Sequence, residues 1–413
     1  SMRPAEYGQG FEVAVAGFRD MDRLEDMSLD GRRVLVRVDM DCPVDEDGTI
    51  IDDSRIQLCL PTIRHLIAEG ARVVLATTLG GQIGRRNPKL SLALLGERLA
   101  EILDRDIFLP EDTVGEGPWK VIMERVEGEV VLLENLGFCP EDDRNDDLFS
   151  QRLFSLADVF VNEAFRLSDR VLASTVGVSG LFNEKVAGLR FRREVEALSR
   201  MVQAPEGQGF IFGGPDDGMA LEFLANHPGR ARKVFLAGHA ALPFYVAKGW
   251  RTGAHKVEKD RVEQAGKVLS RAQLRGVEIV LPEDFLVVPD GAGHDDARIV
   301  RSDGVPGDHV ILDVGPATVE VFCGGLRGLR SLVWHGALGT CRGPDCTASS
   351  DKVARSVIRT SAAATIIGDE MAEVVSRLVL TPFFSFVSCG GDIGMKMLLG
   401  RELPGVKALC GGS

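Results

Sequence analysis

The sequence has no run of about 18 apolar residues, which excludes a membrane-spanning helix. Its N-terminus lacks the basic-then-apolar layout of a secretory signal. No Lys/Arg block occurs, and the formal net charge is -13, so neither nucleic acid nor an anionic membrane is an expected partner. No GxxxxGK[ST] loop is present, and GGPDDG at 213–218 does not fit GxGxxG. The seven histidines form no H-E-x-x-H or triad pattern and read as structural or surface residues. The eight cysteines are scattered. The nearest pair, Cys341 and Cys346, has no second Cys/His pair to complete a zinc site. Reduced thiols in a cytoplasmic protein are the expectation. EDDRNDD at 141–147 lacks the EF-hand layout and reads as a solvated loop. Tyrosine is scarce too, at two residues.

Glycine is abundant instead, at 47 of 413 residues, which fits an α/β protein with many tight turns. A hydrophobic fraction of 45% over this length supports two cores rather than one. RRVLVRVDMD (32–41) is a nearly continuous β-branched run and predicts a buried strand. Residues 54–69 have helical periodicity and stop at Gly70, a natural helix terminator. Strand-like segments follow at 71–81, 129–138 and 157–165, with a helix at 90–104. After a long helix at 187–203 the alternation restarts, with strands at 209–214, 232–238, 277–282, 309–315, 331–336, 364–368 and 384–391. Helical stretches at 258–275 and 352–363 lie between them. Such alternation predicts parallel βαβ units. The segment 286–308 reads as a variable surface loop.

Several segments then match one family in order. They are GRRVLVRVDMDCPV, IDDSRIQLCLPTI, VLLENLGFCPEDDRND, ADVFVNEAF, LASTVGV and the helix VAGLRFRREVEAL. LDVGPATVEVF, VWHGALG, VSCGGD and GRELPGVKAL complete the series. Together they resemble phosphoglycerate kinase over roughly residues 24–409. The resemblance implies two doubly wound parallel-sheet α/β domains joined by an interdomain helix. It implies an extension at 1–28, an N-terminal domain at 29–186 and the interdomain helix at 187–203. A C-terminal domain at 204–400 and a segment at 401–413 returning to the first domain complete the expected organisation.

The family places 3-phosphoglycerate or its acyl phosphate on the first domain and Mg-ADP or Mg-ATP on the second. Hinge closure joins them for phosphoryl transfer in glycolysis. A monomer is expected. By resemblance, Asp39, Asp41, Arg55 and Arg170 take substrate-site positions, and Arg55 is the arginine that reaches the transferring group. Gly213, Gly214, Gly238, Gly336 and Asp369 take nucleotide-side positions, and Asp369 also that of a magnesium ligand. The Asp369 match assumes a two-residue deletion; without it Met371 stands there.

The chain departs from the family at many of these points. Asp41 stands for an asparagine, Thr78 for a histidine, and Gly81 and Gly137 for arginines. In DRVL (169–172) only Arg170 remains of a His-Arg-Ala-His motif. Arg85, Arg86 and Arg166 are the cations left nearby. On the nucleotide side Asp216 and Ala220 stand for lysines, Ala317 for another, His335 for an asparagine and Ala337 for a proline. Asp217, Glu370 and Asp392 add carboxylates where phosphates are expected. A bidentate arginine–phosphate contact contributes about 1.5–3 kcal/mol, so the two arginine losses predict weakened binding on the acid side. The lost lysines and added carboxylates predict weak or absent nucleotide binding. Two functional classes stand open. One is a pseudoenzyme acting by binding, as a scaffold or regulator with a protein partner. The other is an active phosphotransferase with a rebuilt site, on 3-phosphoglycerate or another acid.

Overall fold

A computed structural model describes residues 18, 21–81, 83–204, 207–215, 218–339 and 348–410. Chain contacts divide them into two units. One runs up to Glu196 and resumes at Glu402; the other is Ala197–Arg401. Each unit is built on a six-stranded sheet whose neighbouring strands all pair in parallel.

In the first unit the strands are β1 (Arg33–Arg37), β2 (Arg72–Ala76), β3 (Ile107–Phe108), β4 (Val130–Leu132), β5 (Val159–Asn162) and β6 (Lys185–Ala187). Their spatial order is β3-β4-β2-β1-β5-β6. The central strands are mostly apolar because helices cover both faces of a parallel sheet, with arginines at the ends of β1 and the start of β2. Helix Ser54–Ala68 turns Ile56, Leu60, Ile63 and Leu66 inward, a 3.6-residue repeat that meets Val34, Val36 and Leu75 of the sheet. It stops at Gly70, whose φ of 73° closes the turn into β2. The segment 129–138 is shorter as a strand than its apolar run predicts. Asn135 caps the Gly137 amide and bends Leu136–Phe138 into a 3-10 turn.

The second unit contains β7 (Gln208–Phe212), β8 (Ala231–Leu236), β9 (Glu278–Val280), β10 (Asp284–Pro289), β11 (Arg298–Arg301), β12 (His309–Val314), β13 (Ser331–His335), β14 (Ala363–Ile367) and β15 (Phe386–Val387). The large sheet runs β15-β14-β13-β7-β8-β9. The remaining three strands form a separate antiparallel sheet, β11-β10-β12. This overturns the expectation of a loop at 286–308. Phe285, Val287 and Val288 are buried, and the polar stretch between them and β11 is the hairpin connection. It also removes 309–315 from the parallel alternation.

Helix Leu189–Gln203 starts in the first unit and ends in the second, with the division between Glu196 and Ala197. Helix Pro404–Leu409 belongs to the first unit, where the Ser179 hydroxyl donates to the Ala408 carbonyl at 3.0 Å. Six cysteines among the described residues are free thiols. No helix among the described residues is long and apolar enough to cross a membrane.

Candidate functional site

In an open parallel sheet, ligands sit beyond the carboxyl ends of the strands where strand order reverses. In the first sheet the chain leaves β1 toward β2 on one side and later places β5 on the other. In the second it leaves β7 toward β8 and later places β13 opposite. Six of the sequence-derived positions follow strands that flank these reversals, while Arg55 lies on helix Ser54–Ala68, Gly238 follows β8 and Asp369 follows β14. Asp39 and Asp41 follow β1, Arg170 follows β5, Gly213 and Gly214 follow β7, and Gly336 follows β13.

At the first reversal the cations face carboxylates of the chain itself. An Arg55 Nη lies 3.6 Å from Asp39 Oδ1. Arg170 donates to Asp143 at 2.6 Å. Arg86 donates to the Glu111 carbonyl at 2.9 Å and lies 3.6 Å from Asp112. These pairs are partly exposed, where an ion pair contributes about 0–1 kcal/mol. Asp41 acts structurally, since its Oδ1 accepts the Gly80 amide at 2.7 Å and fixes the turn after β2.

Sequence reasoning missed Arg37. It is 1% exposed, its Nε donates to Ser174 Oγ at 2.9 Å, and its Nη1 bonds the Val38 carbonyl. Its Nη2 has no hydrogen-bond partner. Burial pulls its pKa below the usual arginine value, against the attraction of Asp142 and Asp39. Guanidinium remains cationic under such conditions. The signal in the sequence was an arginine closing an otherwise apolar buried strand.

Gly137, which stands for an arginine, is locked by close backbone approach. The amides of Ile83 and Gly84 both donate to its carbonyl at 2.8 Å, and a Cβ there would collide with the Gly81 carbonyl. Restoring one arginine therefore requires the backbone of Gly81, Ile83 and Gly84 to move. Gly137→Arg is expected to cost about 1–3 kcal/mol by overpacking, read as a lowered Tm, with no gain in 3-phosphoglycerate affinity. An unchanged Tm with tighter binding would show that the turn yields freely.

At the second reversal the glycine turns close on one another. Gly213 donates to the His335 carbonyl at 2.8 Å and Gly214 to the Ala337 carbonyl at 2.6 Å. The His239 amide donates to the Gly214 carbonyl at 2.9 Å. Gly214 and Gly336 both take left-handed backbone, with φ of 72° and 73°. A Cβ on Gly336 would sit 2.5 Å from Gly213 backbone, so only glycine permits this approach. Gly238 is packed equally closely, with its Cβ position 2.7 Å from the Gly214 nitrogen. The amides of Gly213, Gly214 and His239 are thus spent internally.

Carboxylates occupy the rest. Glu370 Oε2 lies 3.5 Å from the Ala337 amide and 2.8 Å from the Cβ position of Gly214. Asp369 and Glu370 form the first turn of helix Asp369–Arg377, where negative charge answers the helix dipole. Helix Pro316–Gly325 is capped by Asp284, which accepts the amides of Ala317 at 3.1 Å and Thr318 at 2.9 Å. Asp392 Oδ1 stands 3.6 Å from His335 Nε2. His239 stacks edge-on against His255 at 4.5 Å, and burial with that neighbour drives its pKa down to about 4, so it carries no charge at pH 7. Asp216 and Asp217 lie outside the described residues.

A protein-family model described as phosphoglycerate kinase matches residues 24–401. The phosphoglycerate kinase of Pelotomaculum thermopropionicum is 34% identical over 387 residues, covering 94% of this chain and 98% of that one. That of Anaeromyxobacter dehalogenans is 35% identical over 388 residues, covering 93% and 98%. Among solved structures, phosphoglycerate kinase from Pyrococcus horikoshii superposes with a TM-score of 0.81 at 27% identity, covering 94% and 98%. The Coxiella burnetii structure gives 0.79 at 26%, with the same coverage. Ordered motifs, two matching sheets and similarity along almost the full length place this chain in the phosphoglycerate kinase family.

Proposed function

We propose that this chain is a pseudoenzyme of its family, acting through binding rather than phosphoryl transfer. The observation that carries the reading is the closed cluster of Gly213, Gly214, Gly336 and Ala337, with the Glu370 carboxylate against it. A nucleotide phosphate needs cations or open backbone N–H groups, because desolvating it without partners is costly. Here the amides of Gly213 and Gly214 are already bonded and Glu370 adds negative charge, although Arg261, whose Nη2 lies 2.5 Å from the Cβ position of Gly218, brings one cation to the same loop. Two unit charges about 4 Å apart interact by roughly 4 kcal/mol at the effective dielectric of a protein surface, so a single carboxylate cancels much of a phosphate's affinity. The side chains present therefore do not fit Mg-ADP. Asp369, the position matched to a magnesium ligand, is exposed in a helix first turn, and no group of three metal-ligating side chains forms among the described residues.

The acid side supports a retained ligand. Arg37, Arg55 and Arg170 gather at one reversal, which suits a small phosphorylated acid of the 3-phosphoglycerate type. Such a ligand, with or without a protein partner, fits a scaffold or regulatory role. The test is calorimetric titration with Mg-ADP and Mg-ATP to millimolar concentration, with 3-phosphoglycerate titrated separately. No saturable nucleotide binding is expected. Micromolar nucleotide binding would overturn the reading and favour an active phosphotransferase with a rebuilt site.

A further inference from the structure

Helix Leu189–Gln203 runs from one unit into the other, and its first turn is held by a single carboxyl group. Glu163 follows β5 and is 5% exposed. Its Oε1 accepts the Thr62 hydroxyl at 2.7 Å and the Arg190 amide at 3.1 Å. Its Oε2 accepts the Phe191 amide at 3.1 Å. Thr62 Oγ1 in turn accepts the Leu189 amide at 2.9 Å. One carboxyl group therefore ties β5, helix Ser54–Ala68 and the start of helix Leu189–Gln203 together. There is no slack, because a Cβ on Gly188 would overlap Oε2, and the Gly188 amide is fixed to the Asn162 carbonyl at 2.8 Å. A second clasp sits close by on the same helix. Arg192 donates to the Asp22 carbonyl at 2.6 Å and lies over the Phe18 ring, which stacks on Phe191.

We propose that Glu163 is a proton-operated latch, holding the first turn of this helix closed when protonated and favouring its release when ionised. Burial and charge are linked at this position. In the closed state the carboxyl group is surrounded by protein; once the turn lifts, it is solvated. Burial penalises only the ionised form. Against this act the Phe191 amide, the Thr62 hydroxyl, the Arg190 amide and the Arg190 charge. The net result raises the closed-state pKa from the usual 4.5 to about 7. The titratable groups facing Glu163 are Arg190 on the helix, itself bonded to Glu194 at 2.6 Å, and Cys59 on helix Ser54–Ala68. The Cys59 thiol is held neutral by burial, so it does not titrate with the latch.

Because the closed-state pKa is raised, proton binding favours the closed state. Its extra stability is complete below the solvated pKa and is lost as pH rises through about 7. Between pH 6 and 8 the opening constant is expected to increase roughly tenfold. The clasp at Arg192 keeps the opening local to residues 189–191. Hydrogen exchange of the full chain reads this directly, with rates corrected for intrinsic pH dependence. Protection at the Arg190 and Phe191 amides is expected to fall roughly tenfold from pH 6 to 8, while β1 amides stay constant. Glu163→Gln imitates the protonated acid and is expected to flatten that dependence. An unchanged slope in the variant, or no slope in the wild type, overturns the latch. Should Glu163→Gln fail to fold, carbon NMR of the wild-type carboxyl group decides: titration near pH 7 supports the latch, and titration below pH 5 refutes it.

Discussion

Turnover of 1,3-bisphosphoglycerate with Mg-ADP is expected to be undetectable, or at least about a thousandfold below that of an ordinary family member. Removing one well-placed transition-state donor costs about 100–1,000-fold, and phosphoryl transfer depends on positive charge around the transferring oxygens more than on any covalent step. In this chain a glycine at 81, a glycine at 137 and alanines at 220 and 317 stand where the resemblance calls for arginine and lysine. The geometry makes the loss hard to reverse. The Gly137 carbonyl is bound by two amides of the neighbouring turn, and Glu370 lies against Gly214. A coupled assay on tag-free protein, checked for host enzyme, measures it. Robust turnover would refute the pseudoenzyme reading outright.

Trp334→Ala is expected to destabilise the second unit by about 3–5 kcal/mol, the usual cost of emptying a buried aromatic site. Trp334 is fully buried on β13, between Ile211 of β7 and Ile366 of β14. Its Nε1–H donates to the Gly336 carbonyl at 2.8 Å, so the same side chain fills the core and fixes the glycine turn. The variant leaves a cavity and an unpaired carbonyl. At about 2–4 °C per kcal/mol for a unit of this size, its melting transition falls by roughly 10 °C. Trp334→Phe keeps most of the apolar contact but loses the donor, and is expected to cost about 1–3 kcal/mol. Calorimetric melting of both variants separates the two contributions. A loss below about 1 kcal/mol in Trp334→Ala would contradict the packing described.

Glu163 has a counterpart in the second unit that acts in the same direction. Asp313 is pushed up to about 6 by burial, against hydrogen bonds from Ser349 and the Val314 amide. Like Glu163, it favours the folded state when protonated, and its contribution fades as pH rises through that value.

Most of the parallel strands were legible as short apolar runs between helical stretches, but β3 (Ile107–Phe108) and β6 (Lys185–Ala187) fell in no expected strand, being too short to carry a period. The hairpin Asp284–Arg301 was not legible either. β11, RIVR, is mostly exposed, and the connection between its strands is rich in Asp and Gly, so local composition resembled a loop. Only pairing with β10 makes it a strand. The motif residues at the strand ends were legible as positions, since Asp39, Arg55, Arg170 and the glycines fall in matched segments. What they contact was not.

Sequence by itself therefore determined the family and the two α/β sheets, because these depend on local pattern and residue type. Tertiary structure alone decided that Arg37 is a buried cation beside Asp39, and that Gly137 is pinned by a turn more than fifty positions earlier in the chain. It alone joined Glu163 to a helix beginning 26 residues later. Such contacts close long loops, and burial and hydrogen-bond geometry at their ends carry no signature in the local sequence.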